Sequence, residues 1–226
     1  MILDTYEEFV ERVNQLGYMA FSAIMPGFPS LDRETRPGQW HTGDHKTDPW
    51  CWKDRAAKEK KLAFGCLLGG HKGFISQKLY PYFYMACHPR EDIEERWMEG
   101  KVGLAEWQVW QLFGRGDELN TSEIRKAMGV TKKQGAEKVD SALKELQRCF
   151  YITVSGNRRK VNKRGEPYGW AINTYLRVTD WAPESWLRGA ESRSREEAIE
   201  HILNIGVFIG ESVSLNQLAR VLKLDL

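Results

Sequence analysis

The chain has 226 residues, 42% of them hydrophobic and 28% charged, with a formal net charge of +2. That composition is that of an ordinary globular protein and excludes a disordered chain, a collagen-like fibre and a disulfide scaffold. The near-zero net charge names no partner, but its distribution does. Between Lys132 and Arg164 stand ten Lys and Arg against three acids, so the rest of the chain is net acidic. A basic block inside a near-neutral protein is a local electrostatic footprint.

The N-terminal stretch MILDTYEEFVERVNQLGY is acidic and amphipathic, unlike a secretory leader, and no run approaches the roughly 18 apolar residues of a membrane span. These features place the protein in the cytoplasm, away from membranes. Asp4 or Thr5 caps a first helix with Phe9, Val10, Val13 and Leu16 on one face and Gly17 at its end. An apolar stretch from Tyr18 to Ile24 leads into a Pro- and Gly-rich loop over residues 26–47. Asp48 and Pro49 then open a helix predicted to run through WCWKDRAAKEKKLAF, with Trp52, Ala56, Glu59 and Ala63 at helical spacing. A hairpin turning at GGHKG follows. A helix predicted from Ser76 through LYPYFYMAC is expected to be bent or interrupted by Pro81. Residues 88–103 link outward, with a short acidic helix around Glu91 to Glu99.

From Leu104 the pattern sharpens. LAEWQVWQLFG reads as a helix with Leu104, Trp107, Trp110 and Phe113 on its buried stripe. Asn120 to Glu123 is a capping box that opens a second helix. A turn at Val130-Thr131 precedes a third, predicted through KKQGAEKVDSALKELQRCF. YITVSG, a basic loop NRRKVNKRGEPYG and WAINTYLRV complete a hairpin. Helix, helix, turn, helix, hairpin is the order of a winged helix-turn-helix. After a charged connector, a helix with Ala198, Ile199, Ile202 and Leu203 and a second one capped by Ser214 begin the same grammar without a third helix, so they are expected to pack on another part of the chain or on another chain. The expected fold is therefore mainly α with small β-hairpins, built of tandem winged helix-turn-helix units. The expected domains are 1–100, a helical, winged-helix-like unit; 101–187, the central winged helix; and 188–226, a partial helix-turn-helix.

The start of the third helix offers Lys132, Lys133, Gln134 and Lys138, and the wing offers Arg158, Arg159, Lys160, Lys163 and Arg164. These nine residues are the candidate contacts to duplex DNA, because flexible basic loops and helix starts reach phosphates and groove edges. A second candidate site lies between Gln39 and Trp50, where carboxylates, a histidine and aromatics crowd a helix start. Such a grouping suits an extruded base held beside an acid, but it reads first as a cap (Asp48), turn residues (Gly43, Asp44) and core Trp anchors. The four cysteines have no paired spacing and read as free thiols. His41, His45, Cys51, Cys66, His71, Cys87 and His88 lack the short doubled spacing of a zinc site. No phosphate-cradling Gly-rich loop is present. No metal and no cofactor is expected.

Trp40, Thr42, Asp48, Pro49 and Trp50, with the KGFIS turn at Lys72 to Ser76 and the following QKLYPYF, resemble the AlkZ-related family, a distant relative of the AlkZ-like DNA glycosylases. The resemblance implies tandem winged-helix units on DNA, and in the glycosylase members metal-free release of alkylated or crosslinked bases. Their catalytic motif is glutamine, a hydrophobic residue, then glutamine or aspartate, shortly before Asp-Pro. The matching positions here are Gln39, Trp40 and His41, with histidine in third place and Asp48-Pro49 farther along. Gln39, His41, Asp44 and Asp48 are thus the catalytic candidates if the chain is a glycosylase. A third reading is an interaction module whose Trp-rich N-terminal unit and unfinished C-terminal helices bind protein, a second copy included.

Overall fold

A computed structural model describes residues 1–131, 134–162, 164–189 and 193–225. The first helix, α1 (Tyr6–Leu16), starts where expected: the Thr5 hydroxyl accepts from the Glu8 amide and the Glu8 carboxylate reaches back to the Thr5 amide. Its face of Phe9, Val13 and Leu16 is buried, and Gly17 at φ +85° turns the chain into β1 (Tyr18–Ala20). The long loop follows, with one 3₁₀ turn at Pro37–Gln39. Next come α2 (Pro49–Lys58), β2 (Leu62–Leu68) and β3 (His71–Ser76).

The second helix is shorter than its periodicity predicts. Lys60 takes a positive φ of 53°, and Leu62 to Phe64 join the ladder against β3 instead of continuing the helix. A continuous apolar run with a partner strand beats helical spacing here, a tertiary override of a local signal. Pro81 also behaves differently: it sits in the first turn of α3 (Tyr80–Cys87), where its missing N–H costs nothing, so it opens the helix and does not break one. After α4 (Ile93–Met98), the second set of elements is α5 (Leu104–Trp110), β4 (Leu119–Asn120), α6 (Thr121–Ala127), α7 (Ala136–Arg148), β5 (Ile152–Val161) and β6 (Pro167–Arg177). On α5 the buried residue is Val109; Leu104 faces solvent because the stripe is rotated toward α7. Short α8 (Val178–Trp181) and α9 (Glu184–Arg188) lead to α10 (Arg195–Ile209) and α11 (Leu215–Leu222).

Helices thus predominate over two small antiparallel sheets. Both sheets have the same order, with the first strand beside the third and the second outside it: β1-β3-β2 and β4-β6-β5. In each a helix precedes the first strand and another precedes the hairpin.

Two apolar clusters hold the chain together, and both draw on distant segments. One joins Phe9, Trp52, Phe64 and Phe74 to Val139, Leu143, Val154 and Tyr175. Phe74 is central to it, with ring centroids 4.8 Å from Phe9 and 5.0 Å from Phe64. Complete burial of each such ring contributes about 1.5–3 kcal/mol. The other cluster joins Tyr18, Tyr80 and Phe83 to Trp181, Trp186, Ile202, Leu203, Leu218 and Leu222. The C-terminal helices therefore fold back on the N-terminal unit: the Tyr18 hydroxyl donates to the Ile202 carbonyl at 3.1 Å. Between the two sheets, buried Gln147 on α7 accepts from the Cys66 amide of β2 at 3.1 Å, and the Trp181 indole N–H donates to the Ala57 carbonyl at 3.2 Å.

Candidate nucleic-acid interface

The hairpin β5–β6 is an arm. Its base, Ile152 to Ser155, is buried. Beyond it, Val161, Tyr168 and Trp170 are all exposed, Trp170 by 74%. The basic stretch expected as a loop over Asn157 to Gly169 is mostly strand: Asn157 pairs with Asn173, Arg158 with Ile172, Lys160 with Tyr168 and Val161 with Pro167. The ladder is interrupted between Arg158 and Lys160, opposite residues 169–171, and the side chains are polar because neither face of the outer arm has a core to cover. The tip is tied by Asn162, whose Oδ1 accepts from the amides of Arg164 (2.8 Å) and Glu166 (3.0 Å).

Strand alternation distributes the arm's cations. Lys160 lines one cleft and Arg159 another. Arg158 turns back to the Glu123 carboxylate at 2.9 Å, so its charge is matched inside the protein. Arg164 stands exposed at the tip. The third helix starts later than predicted, at Ala136, because Gly135 at φ +83° precedes it and Gln134 turns back to Thr131. Exposed Gln134 therefore lies before α7 and exposed Lys138 on its first turn, whereas Lys132, Lys133 and Lys163 lie outside the described residues.

The first cleft, about 670 Å³, opens between the two sheets. Phe21, Trp50 and Phe64 form one wall, and Val130, Ile172 and Tyr175 the other. Its charged lining is Lys53, Lys72, Arg125, Lys126 and Lys160, with no carboxylate among the lining residues. Arg125 is held by Asp140 at 2.7 Å, and Lys53 by Asp54 at 2.6 Å. Lys72, Lys126 and Lys160 take part in no ion pair among the described residues. Low-dielectric aromatic walls focus the field of such cations on whatever enters.

The second cleft, about 860 Å³, lies on the far side of Trp50 and Ala171, which line both. His41 and Asp48 reach it; Gln39 and Asp44 do not line it. His41 has a positive φ of 63°, and its ring centroid stands 4.8 Å from Trp50 and 6.3 Å from Trp170. Asp48 is buried and caps α2. One oxygen accepts from the amides of His41 (3.1 Å) and Trp50 (2.8 Å), the other from the Gly43 amide (2.9 Å). That carboxylate therefore fixes the loop that carries His41. Gln39 is engaged elsewhere, donating to the Leu3 carbonyl at 3.2 Å and accepting from the Arg36 amide at 2.7 Å. Asp44 is exposed, and bonds from the Lys46 amide and the Thr47 hydroxyl hold its carboxyl below the usual range, so it stays ionised.

All four cysteines are free. Burial and neighbouring Asp48 push the Cys51 thiol up to about 11, which leaves it protonated and a poor nucleophile near neutral pH. Among the described residues, no three His, Cys, Asp or Glu side chains converge to hold a metal ion, and no helix is long and apolar enough to cross a membrane. Lys53, Lys72, Arg125, Lys126 and Trp170 line the clefts but are not among the candidate site residues of the sequence. Arg125 and Lys126 adjoin the basic block that starts at Lys132, and that adjacency was the signal that could have found them; Lys72 and Trp170 come to the clefts only through the packing of the two sheets.

Two helix-and-hairpin units thus carry a basic arm and an aromatic cleft whose charged lining is cationic. The chain belongs to the family described as AlkZ related, which it matches over residues 3–223. No curated protein and no solved structure matches it.

Proposed function

We propose that this protein binds duplex DNA, laying a phosphate backbone along the arm and across the mouth of the first cleft. The observation that carries the reading is the set of cations Lys72, Lys126 and Lys160, in no ion pair among the described residues, in a cleft with no carboxylate among its described lining, with Arg159 on the other face of the arm and Arg164 at its tip. Backbone contacts of this kind position a protein on DNA without reading sequence. The order of elements supports two winged-helix units in tandem, since both sheets repeat the arrangement of such a unit, and α10 and α11 supply an incomplete third. Membership of the AlkZ-related family points to the same class of partner. Fluorescence-anisotropy binding to a generic duplex over a range of salt tests the reading. Affinity is expected to fall steeply with salt. Replacing Lys72, Lys126 and Lys160 with Ala should lower the slope by roughly one unit for each phosphate that the protein no longer touches. Absence of binding at low salt would sink it.

A second reading, base release by a DNA glycosylase, is favoured by the position of His41. It stands where the AlkZ-like glycosylases carry the glutamine or aspartate that ends their motif, a departure in residue type, and it lies near Trp50 and Trp170, where an extruded base has aromatic faces to stack on. Its test is His41→Ala, expected to keep duplex affinity while ending release of an alkylated base. Unchanged release removes His41 from the chemistry.

A further inference from the structure

Among the described residues Lys53 is the one buried cation at the floor of the first cleft, and nothing in backbone binding uses it. It is 5% exposed. Its ammonium lies 4.6 Å from the Trp50 ring centroid and 5.6 Å from that of Phe64, and 2.6 Å from Asp54 Oδ1. Asp54 is fixed in turn, since its other oxygen accepts from the Asn157 side chain on the arm. A lysine fully enclosed as half of a structural ion pair needs no opening, yet this one lines the cleft. Enclosure by rings strips water from the amine and disfavours its charged form; the lowered pKa of Lys53 has desolvation as its first cause. A desolvated lysine beside a proton acceptor is a carbonyl-directed nucleophile.

We propose that Lys53 forms an imine with the aldehyde of a ring-opened abasic sugar in DNA, the cleft's Lys72, Lys126 and Lys160 holding the flanking phosphates. The substrate class follows from the lining. Cations suit phosphates, and the space between Phe21, Trp50 and Tyr175 suits a sugar that has lost its base. The identity of the carbonyl rests on the DNA-binding reading above. In the reaction the ammonium passes its proton to Asp54 Oδ1. The neutral amine then adds to C1′ of the aldehyde, and the carbinolamine loses water, so that amine and aldehyde become imine and water. Asp54, having given its proton to the departing water, takes the C2′ proton as the 3′ phosphate leaves by β-elimination, and hydrolysis of the imine returns the lysine. No oxidant or reductant takes part.

Borohydride trapping on a duplex with one natural abasic site tests this directly, with anisotropy binding to the same duplex measured in parallel. The expected result is a covalent protein–DNA adduct mapped by peptide mass spectrometry to Lys53, with strand cleavage 3′ to the site when borohydride is left out. A tetrahydrofuran site, which has no aldehyde, should bind equally and give no adduct. Lys53→Arg keeps the cation beside Asp54 and should lose adduct and cleavage while duplex affinity stays. The mapping needs no variant, so it decides even if that substitution fails to fold. Binding without an adduct, or an adduct on Lys72, Lys126 or Lys160, overturns the proposal and leaves DNA binding intact. Neither binding nor adduct overturns both.

Discussion

The hairpins β2–β3 and β5–β6 hold the same place in their sheets, and the chain treats them in opposite ways. The first turns at Gly69 and Gly70 and is closed in. A Cβ added at Gly69 would sit 2.2 Å from the Val221 carbonyl oxygen of α11, and one at Gly70 would sit 2.7 Å from Lys144 Cε of α7. The second leaves its sheet and ends in solvent, and Gly165 and Gly169 near its tip have open space around them. One topology therefore makes a packing element where backbone meets backbone, and a reaching element where charge replaces apolar side chains. The paired glycines at the tip of the first and the Arg-Arg-Lys along the outer strand of the second announce the difference.

The comparison can be broken by substitution, beginning inside the closed hairpin. Phe74→Ala removes a ring with no exposure from the centre of one core and should cost about 3–5 kcal/mol in urea unfolding. Gly69→Ala combines φ +62° with a backbone clash and should cost about 3 kcal/mol; a cost below about 1 kcal/mol would mean that α11 does not rest on this turn. On the arm, Gly169→Ala meets the same positive φ with nothing nearby and should cost only about 1 kcal/mol. Arg159→Ala with Lys160→Ala should shift stability by no more than about 0.5 kcal/mol while weakening duplex binding similarly for all sequences. A large drop in stability would show that the arm is a structural element like its counterpart.

The junction between the two regions carries a pH signature. His88, at the end of α3, stacks on Tyr84 at 4.7 Å and meets Tyr151, at the foot of the arm, at 5.0 Å. Burial first, then the Arg96 cation, pushes its pKa down to about 4. The unfolded chain, with an ordinary histidine near 6.5, binds the proton first as pH falls. The stability contributed by neutral His88 is thus present above about pH 6.5 and is lost progressively toward pH 4, by on the order of 2 kcal/mol. Melting temperatures across that window should fall less in His88→Gln than in the parent chain.

Local chemistry was legible in the sequence. The caps at Thr5, Asp48, Asn120 and Ser214 stand where their side chains predict, and the buried faces of α1, α7 and α10 follow their spacing. Relations between elements were not. The two-residue strand β4 is too short to carry a period. The turnover from α2 to β2 depends on a partner strand, and the clefts exist only because α2 packs on β5. For the same reason the run Gln39 to Asp48 read as one site, while the fold sends Gln39 toward Leu3, uses Asp48 as a cap and gives His41 to the cleft.

The return of α10 and α11 to the first unit has a consequence for biosynthesis. Tyr18, Leu67 and Phe83 emerge from the ribosome early, yet their cover, Ile202, Leu203, Leu218 and Leu222, is translated long after them. At about 5–20 residues per second the early surface waits on the order of ten seconds or more without its lid. A nascent chain of this protein is thus a natural client for a chaperone that shields apolar surface, and pulse-labelled chains stopped before residue 195 should co-purify with one far more than full-length chains do.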